Sequence, residues 1–131
     1  MSPTADVVAI ALLPAGAGTL FVDPTSHQAA FAVAAVNVGA SGTIALTADT
    51  GAVPLPLSIT LCQTTSSGAC VSPPASSVTI PMATGSGAGY AVFVTGTGSI
   101  KANAAVNRIF LRFKDVGGVT RGSTSVAVTA P

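Results

Sequence analysis

Charged residues are scarce in this chain of 131 residues, at 7%, against roughly 25% in an average globular domain. Aromatic residues make up 5%, tryptophan is missing, and the sequence contains no glutamate. The net charge of +1 excludes the basic excess that nucleic-acid binding requires. Hydrophobic residues make up 49%, which excludes disorder, because disorder needs low hydrophobicity and high charge. The composition therefore predicts a folded domain with a largely uncharged surface.

Groups that could perform catalysis or hold a metal are equally few. His27 is the single histidine, whereas a zinc site would need more than one. The sequence also lacks a D-x-D loop of the kind that binds calcium. His27 lies beside Ser26 and four residues after Asp23, but no G-x-S-x-G elbow accompanies them, so we interpret it as a solvent-facing loop histidine. We predict no enzyme, no cofactor, and no catalytic, cofactor-binding or metal site. The carboxylates are Asp6, Asp23, Asp49 and Asp115.

The first residues lack the positive charge with which a signal peptide begins, since no Lys or Arg precedes residue 101. The apolar run 7–22 contains Pro14 and is too short and interrupted to cross a membrane as a helix. We therefore expect no membrane insertion. Two alternatives follow: a recombinant or processed piece of an exported protein, or a complete protein that leaves the cell without a signal.

The only cysteines are Cys62 and Cys70. Their spacing does not fit a CxxC zinc half-site. A disulfide between them would contribute about 2.6 kcal/mol in the chain-entropy model and would indicate an oxidising compartment. The alternative is a pair of free thiols in a cytosolic protein. We favour the disulfide, and with it an extracellular or cell-surface location.

Short β-branched runs bounded by Gly, Pro, Asp and Ser recur along the chain, and no stretch has convincing helical periodicity. The run 90–94 is apolar on both faces, which predicts a more buried strand. The run 29–36 is also apolar on both faces; its alanines would allow a helix, but its valines favour a strand. The predicted strands are 6–13, 19–22, 29–38, 43–47, 57–63, 77–82, 90–96, 107–114 and 119–129.

Strand 107–114 has the clearest alternation, with Ile109, Leu111 and Phe113 on one face. Five of the six charges after residue 100 are basic, whereas Asp6, Asp23 and Asp49 are the only charges before it. We interpret this segregation first as a solvated outer face whose cations protect the sheet from aggregation. The alternative is an interaction surface, which we call the basic strip. The basic strip consists of Lys101, Arg108, Phe110, Arg112, Lys114 and Arg121.

Three runs in the C-terminal third resemble immunoglobulin-like modules of large secreted or surface bacterial proteins. They are 90–100 (YAVFVTGTGSI), 107–115 (NRIFLRFKD) and 117–128 (GGVTRGSTSVAV). The cysteine loop 61–70 sits where such modules often carry one, and 35–39 (AVNVG) is similar to the end of their second strand. The resemblance covers about 30–129 and implies a β-sandwich and an exported, non-catalytic role. It transfers no functional residue, because such modules share a scaffold and not a site.

Together these observations predict an all-β, immunoglobulin-like β-sandwich of seven to nine mainly antiparallel strands. A single domain would cover 1–131, with N-terminal strands in 1–28 and the main sandwich in 29–131. The predicted function is a non-catalytic structural or adhesive module of a bacterial extracellular or cell-surface protein. The alternative is a self-assembling subunit of a pilus-like filament or a virion, through head-to-tail or strand-exchange contacts.

The predicted partners are other copies of the chain or neighbouring domains of a larger one, and not nucleic acid. In a filament subunit, the first strand should be able to pair with another chain. A sugar-binding role would need exposed aromatic platforms, for which Tyr90 is the only tyrosine.

Overall fold

In the computed structural model of the chain, residues 4–14 and 18–131 are described, and they form nine β-strands. All nine predicted strands are confirmed, with bounds that shift by up to three residues, as where β7 begins at Gly87. The predicted division at 1–28 includes 1–3 and 15–17, which lie outside the described residues. The strands are β1 Val7–Leu12, β2 Thr19–Phe21, β3 Gln28–Asn37, β4 Gly42–Asp49, β5 Leu57–Thr64, β6 Ser77–Met82, β7 Gly87–Gly96, β8 Arg108–Lys114 and β9 Thr120–Thr129.

The strands form a four-stranded sheet, β1-β3-β7-β5, and a five-stranded sheet, β2-β9-β8-β4-β6. All neighbours are antiparallel except β2 and β9, which are parallel. The prediction of an all-β sandwich is confirmed. In the described part of the chain, no helix is long and apolar enough to cross a membrane.

Alternate residues of both sheets point inward and form one core. Tyr90 of β7 meets Phe113 of β8 edge to face, with ring centroids 5.8 Å apart, so this pair joins the two sheets. Burial raises the pKa of Tyr90 to about 12, and its phenol therefore stays neutral. Within the described residues its hydroxyl has no hydrogen-bond partner, which makes the ring a packing element.

Strand β7 buries only one of its two apolar faces. Tyr90 and Val92 are 1% and 0% exposed, whereas Phe93 is 36% exposed. The predicted more buried strand is therefore buried on its inner face and partly exposed on its outer face. The inner face packs on the second sheet, while no described residue of the chain covers the outer face.

Asn37, at the end of β3, is the one buried polar residue among residues 4–14 and 18–131. Its Nδ2 donates to the carbonyl oxygens of Ala40 (2.8 Å) and Met82 (3.0 Å). Its Oδ1 accepts from the backbone N–H groups of Asp6 (3.1 Å) and Gly39 (3.0 Å). Both amide hydrogens are thereby satisfied. Because Met82 belongs to the five-stranded sheet and Asp6 precedes β1, Asn37 joins the two sheets at one end.

The start of β1 lies directly against β9. A Cβ atom on Gly122 of β9 would overlap the carbonyl oxygen of Val7. Glycine at this position therefore allows the two backbones to approach closely. Strand β1 is therefore paired with β3 in its own sheet and also packs against β9 of the second sheet.

Candidate interaction surfaces

The predicted disulfide is present and closes one edge of the four-stranded sheet. Cys62 of β5 is bonded to Cys70 with an S–S distance of 2.05 Å. Beyond it the chain returns along β5, where Leu61 and Ala75 exchange two backbone hydrogen bonds of 2.8 and 2.9 Å. Val71 N–H also donates to the carbonyl of Gln63 at 2.8 Å. Because the outer backbone groups of Leu61 and the carbonyl of Gln63 are used in this way, this part of the edge is closed to another strand.

The structure places four members of the basic strip on one face, as the alternation of β8 predicts. Arg108, Phe110, Arg112 and Lys114 point outward, while the residues between them are buried. Arg121 lies on the neighbouring strand β9, and Lys101 lies in the exposed segment after Ile100. We call the outer surface of the five-stranded sheet the charged face.

Arg112 has its partners within the same chain. Its Nε and Nη2 donate to the two carboxylate oxygens of Asp49 at 2.7 and 3.1 Å, and its guanidinium lies 5.0 Å from the Phe110 ring centroid. The hydrogen bond from Arg112 lowers the pKa of Asp49, and the same bond raises the pKa of Arg112. A bidentate ion pair stacked on a ring neutralises this part of the charged face.

A second ion pair lies at the turn between β8 and β9. Arg121 Nε donates to Asp115 Oδ2 at 2.7 Å, while Asp115 Oδ1 accepts from the N–H groups of Gly117 and Val119. The bond from Arg121, followed by the one from Val119, lowers the pKa of Asp115. Two cations of the basic strip are therefore matched inside the chain.

Arg108 is held by neutral groups. Its Nε donates to Ser125 Oγ at 3.1 Å, and its Nη1 donates to the carbonyl of Ala104 at 2.8 Å. Among the described residues, Lys101 and Lys114 make no ion pair. Whether the basic strip contacts a partner stays a prediction, and the charge available for such a contact is smaller than the sequence suggests.

The outer surface of the four-stranded sheet, which we call the uncharged face, was not predicted from the sequence. On β1, Val8, Ile10 and Leu12 are 54%, 55% and 50% exposed. They neighbour the small outward residues of β3, since Ile10 is paired with Ala34 and Leu12 with Ala32. No Asp, Lys or Arg occurs in β1, β3, β5 or β7. The alternation of large and small apolar residues in β1 was the available signal.

His27 lies at one end of the sandwich, in a turn organised by Asp23. Asp23 Oδ1 accepts from the backbone N–H groups of Thr25 (2.7 Å) and Ser26 (2.9 Å). These two bonds, the one from Ser26 first, lower the pKa of Asp23. His27 is exposed with a φ of 59°, beside an open cleft that Gly96 and its neighbours line. The carboxylate is thus used to shape the turn.

Groups of three or more metal-ligating side chains are not found within the described ranges. Among titratable residues the clearest arrangements are the two ion pairs and the Asp23 turn. The surfaces with a distinct composition are therefore the charged and uncharged faces.

No protein-family model and no curated protein sequence matches the chain. Among solved structures, the N-terminal domain of PorA has a TM-score of 0.54 at 9% identity, covering 94% of this chain and 97% of that one. AvmM, described as catalysing macrocyclization in alchivemycin A biosynthesis, has a TM-score of 0.51 at 11% identity, covering 95% and 89%. At such identities the likeness concerns the fold alone. Function has to be argued from the surfaces of this chain.

Proposed function

We propose that the chain is a non-catalytic structural or adhesive module of a bacterial extracellular or cell-surface protein. The observation that carries the proposal is the uncharged face, which spans a whole sheet and exposes large apolar side chains of β1. Contiguous exposed apolar surface of this kind marks contacts between proteins or domains. The partners would be other copies of the chain or neighbouring domains of a longer one.

The strand order supports an immunoglobulin-like module. In that fold, strands A, B, E and D form one sheet and strands C, F and G form the other. Here β1, β3, β7 and β5 take the A, B, E and D positions in chain order, and β4, β8 and β9 take C, F and G. Strand β2 is added beside G, and β6 beside C. The tryptophan and inter-sheet disulfide of antibody domains are not part of this version.

Two further observations support the location and the lack of catalysis. The Cys62–Cys70 disulfide fits an oxidising compartment outside the cytosol. The Asp23 carboxylate accepts hydrogen bonds from backbone N–H groups of its own turn. It is therefore engaged in the turn and does not orient His27 as the aspartate of a catalytic triad would.

A self-assembling subunit of a filament or virion is the second candidate, and β1 favours it. This strand lies at the edge of its sheet, and 7–12 contain neither a charge nor a proline. Natural edge strands usually carry such residues to prevent pairing with another chain. Exchange of β1 between copies would give head-to-tail assembly.

Light scattering of the purified chain at low and high salt, with electron micrographs of the same samples, tests these proposals. Association into a closed oligomer at both salt concentrations is expected for a module with an apolar contact. Filaments on the grid would favour the second candidate, and loss of association at high salt would indicate the basic strip. A salt-independent mass of 12.6 kDa would contradict self-association and leave a module that contacts only neighbouring domains.

A further inference from the structure

We infer that the uncharged face is the contact between two copies of this chain, packed face to face about a two-fold axis. This inference rests on the proposed function, because it names the surface through which the module associates. Three properties of the face carry it: its lack of charge, its relief and its area.

The lack of charge favours a second copy over a charged partner. Every Asp, Lys and Arg of the sequence lies outside the four strands of the face. Two uncharged faces can meet without leaving a buried charge unpaired, whereas a charged partner would lose its hydration and find no counter-charge. A second copy is the partner that is certain to present a matching uncharged surface.

The relief of the face is self-complementary. Val8, Ile10 and Leu12 form a ridge along β1. Beside it, Ala32 and Ala34 of β3 pair with Ala91 and Gly89 of β7, which makes a shallow trough of small residues. A two-fold axis parallel to the strands places the ridge of each copy over the trough of the other, as an interface of identical patches requires.

The area fits a weak dimer. The ridge-over-trough arrangement engages β1, β3 and β7 and leaves β5 outside the contact. With strands about 4.8 Å apart and a rise of about 3.3 Å per residue, the outward side of these three strands covers roughly 400 Å². Two copies would bury about 800 Å², which is the size of a weak, transient interface. The expected contact is therefore stable at micromolar to millimolar concentration and is not an obligate core.

The β5 edge of the same sheet is less suited to the contact, because the segment 70–75 covers part of it. Pairing through the face leaves this arrangement intact, whereas pairing through the β5 edge would disturb it.

Sedimentation velocity over a range of protein concentrations tests this inference with three matched substitutions. Ile10→Lys places a charge on the ridge, and Ala32→Lys places one in the trough. Thr79→Lys is the control, because it adds the same charge to an exposed position of β6 in the five-stranded sheet. All three sites are exposed in the monomer, so unchanged thermal unfolding will show that the fold persists.

The wild-type chain and Thr79→Lys should dimerise alike. Ile10→Lys and Ala32→Lys should each raise the dissociation constant by about 100-fold, because the symmetry introduces each charge twice. A dimer that survives both substitutions would overturn the inference and leave association through another surface standing. A wild-type chain that stays monomeric up to about 1 mM would also overturn it, and the face would then belong to a neighbouring domain.

Discussion

The two outer faces of the sandwich differ in the side chains that they expose to water. On the charged face, Arg112 is paired with Asp49 and stacked on Phe110, so its polar groups have partners close by. On the uncharged face, Ile10 and Leu12 are half exposed and no charged side chain accompanies them. The two faces of the same core therefore differ: the Arg112 guanidinium on the charged face has partners within the chain, whereas the apolar side chains of β1 on the uncharged face remain exposed to water.

This difference indicates which surface is available for association. Pairing within the chain uses the charges that the basic strip would otherwise offer to a partner. Burying half-exposed apolar side chains, by contrast, yields free energy at about 25 cal/mol per Å². Burial against a partner therefore yields more free energy for the uncharged face than for the charged face.

The largest effect should come from breaking the junction that holds both faces in place. Asn37→Ala would leave the N–H groups of Asp6 and Gly39 and the carbonyls of Ala40 and Met82 without their partner. We expect the free energy of unfolding to fall by about 3 kcal/mol, because the groups lie at a buried site. Urea denaturation followed by circular dichroism measures it.

Asn103→Ala is the matched control, since Asn103 is exposed and its side chain accepts one local bond from Ala105 N–H. This variant should lose less than about 0.5 kcal/mol. Equal losses in the two variants would show that Asn37 is not the junction described here.

Opening the closed edge of the uncharged sheet should have the next largest effect. Reduction of Cys62–Cys70 releases a short loop and should lower the free energy of unfolding by about 2.6 kcal/mol. Urea denaturation with and without dithiothreitol measures the change. The double variant Cys62→Ala and Cys70→Ala provides the control, because its stability should not respond to the reductant.

Much of the fold is predictable because its signals are local. The nine strands follow from β-branched runs between turn residues, and the outward side of β8 follows from alternation alone. The pairing of Arg112 with Asp49 is different, since 63 residues separate them and the register of β4 on β8 brings them together.

The uncharged face could not be predicted for a related reason. The runs 29–36 and 90–94 are apolar on both sides, and only the stacking of the two sheets decides which side is covered. Composition shows that a surface is apolar, but three-dimensional packing shows that it is contiguous.

Displacing β1 would break the uncharged face selectively. In Gly122→Ala the new methyl group would overlap the carbonyl of Val7 and push the start of β1 outward. We expect the free energy of unfolding to fall by about 2 kcal/mol. The loss should not be larger, because β1 is an edge strand and its displacement leaves most of the core intact. Hydrogen exchange should accelerate in Val7–Leu12 and remain slow in Arg108–Lys114.

Gly18→Ala controls for the substitution itself, because a Cβ there meets no atom within 4 Å. It should leave exchange in β1 unchanged. If hydrogen exchange in the Gly122→Ala variant accelerated equally in both sheets, the displacement would not be local to β1.

A smaller effect is expected from the ion pair on the charged face. Asp49→Asn should reduce the free energy of unfolding by about 0.5 kcal/mol at pH 7, since both side chains are partly exposed, at 32% and 42%. The folded state lowers the pKa of Asp49, so the ionised carboxylate stabilises the fold above its ordinary value of about 3.9. The stabilisation disappears as the pH falls below that value.

Urea denaturation of wild type and Asp49→Asn between pH 2 and 7 measures this difference. Their stabilities should converge at the acid end. Asp49→Asn combined with Arg112→Gln completes a double-mutant cycle, whose coupling should fall at high salt. A difference that persists at low pH would show that the effect does not come from the ion pair.

The smallest effect should come from the two unpaired lysines, and it decides between the faces. Lys101→Gln and Lys114→Gln together remove two of the three cations of the basic strip that make no ion pair among the described residues, the third being Arg108. Stability should change by less than about 0.5 kcal/mol, since both side chains lie at the surface. If the uncharged face is the contact, sedimentation velocity should also give an unchanged dissociation constant at low salt. A strong loss of association in this variant, with Ile10→Lys unaffected, would instead make the charged face the site of contact.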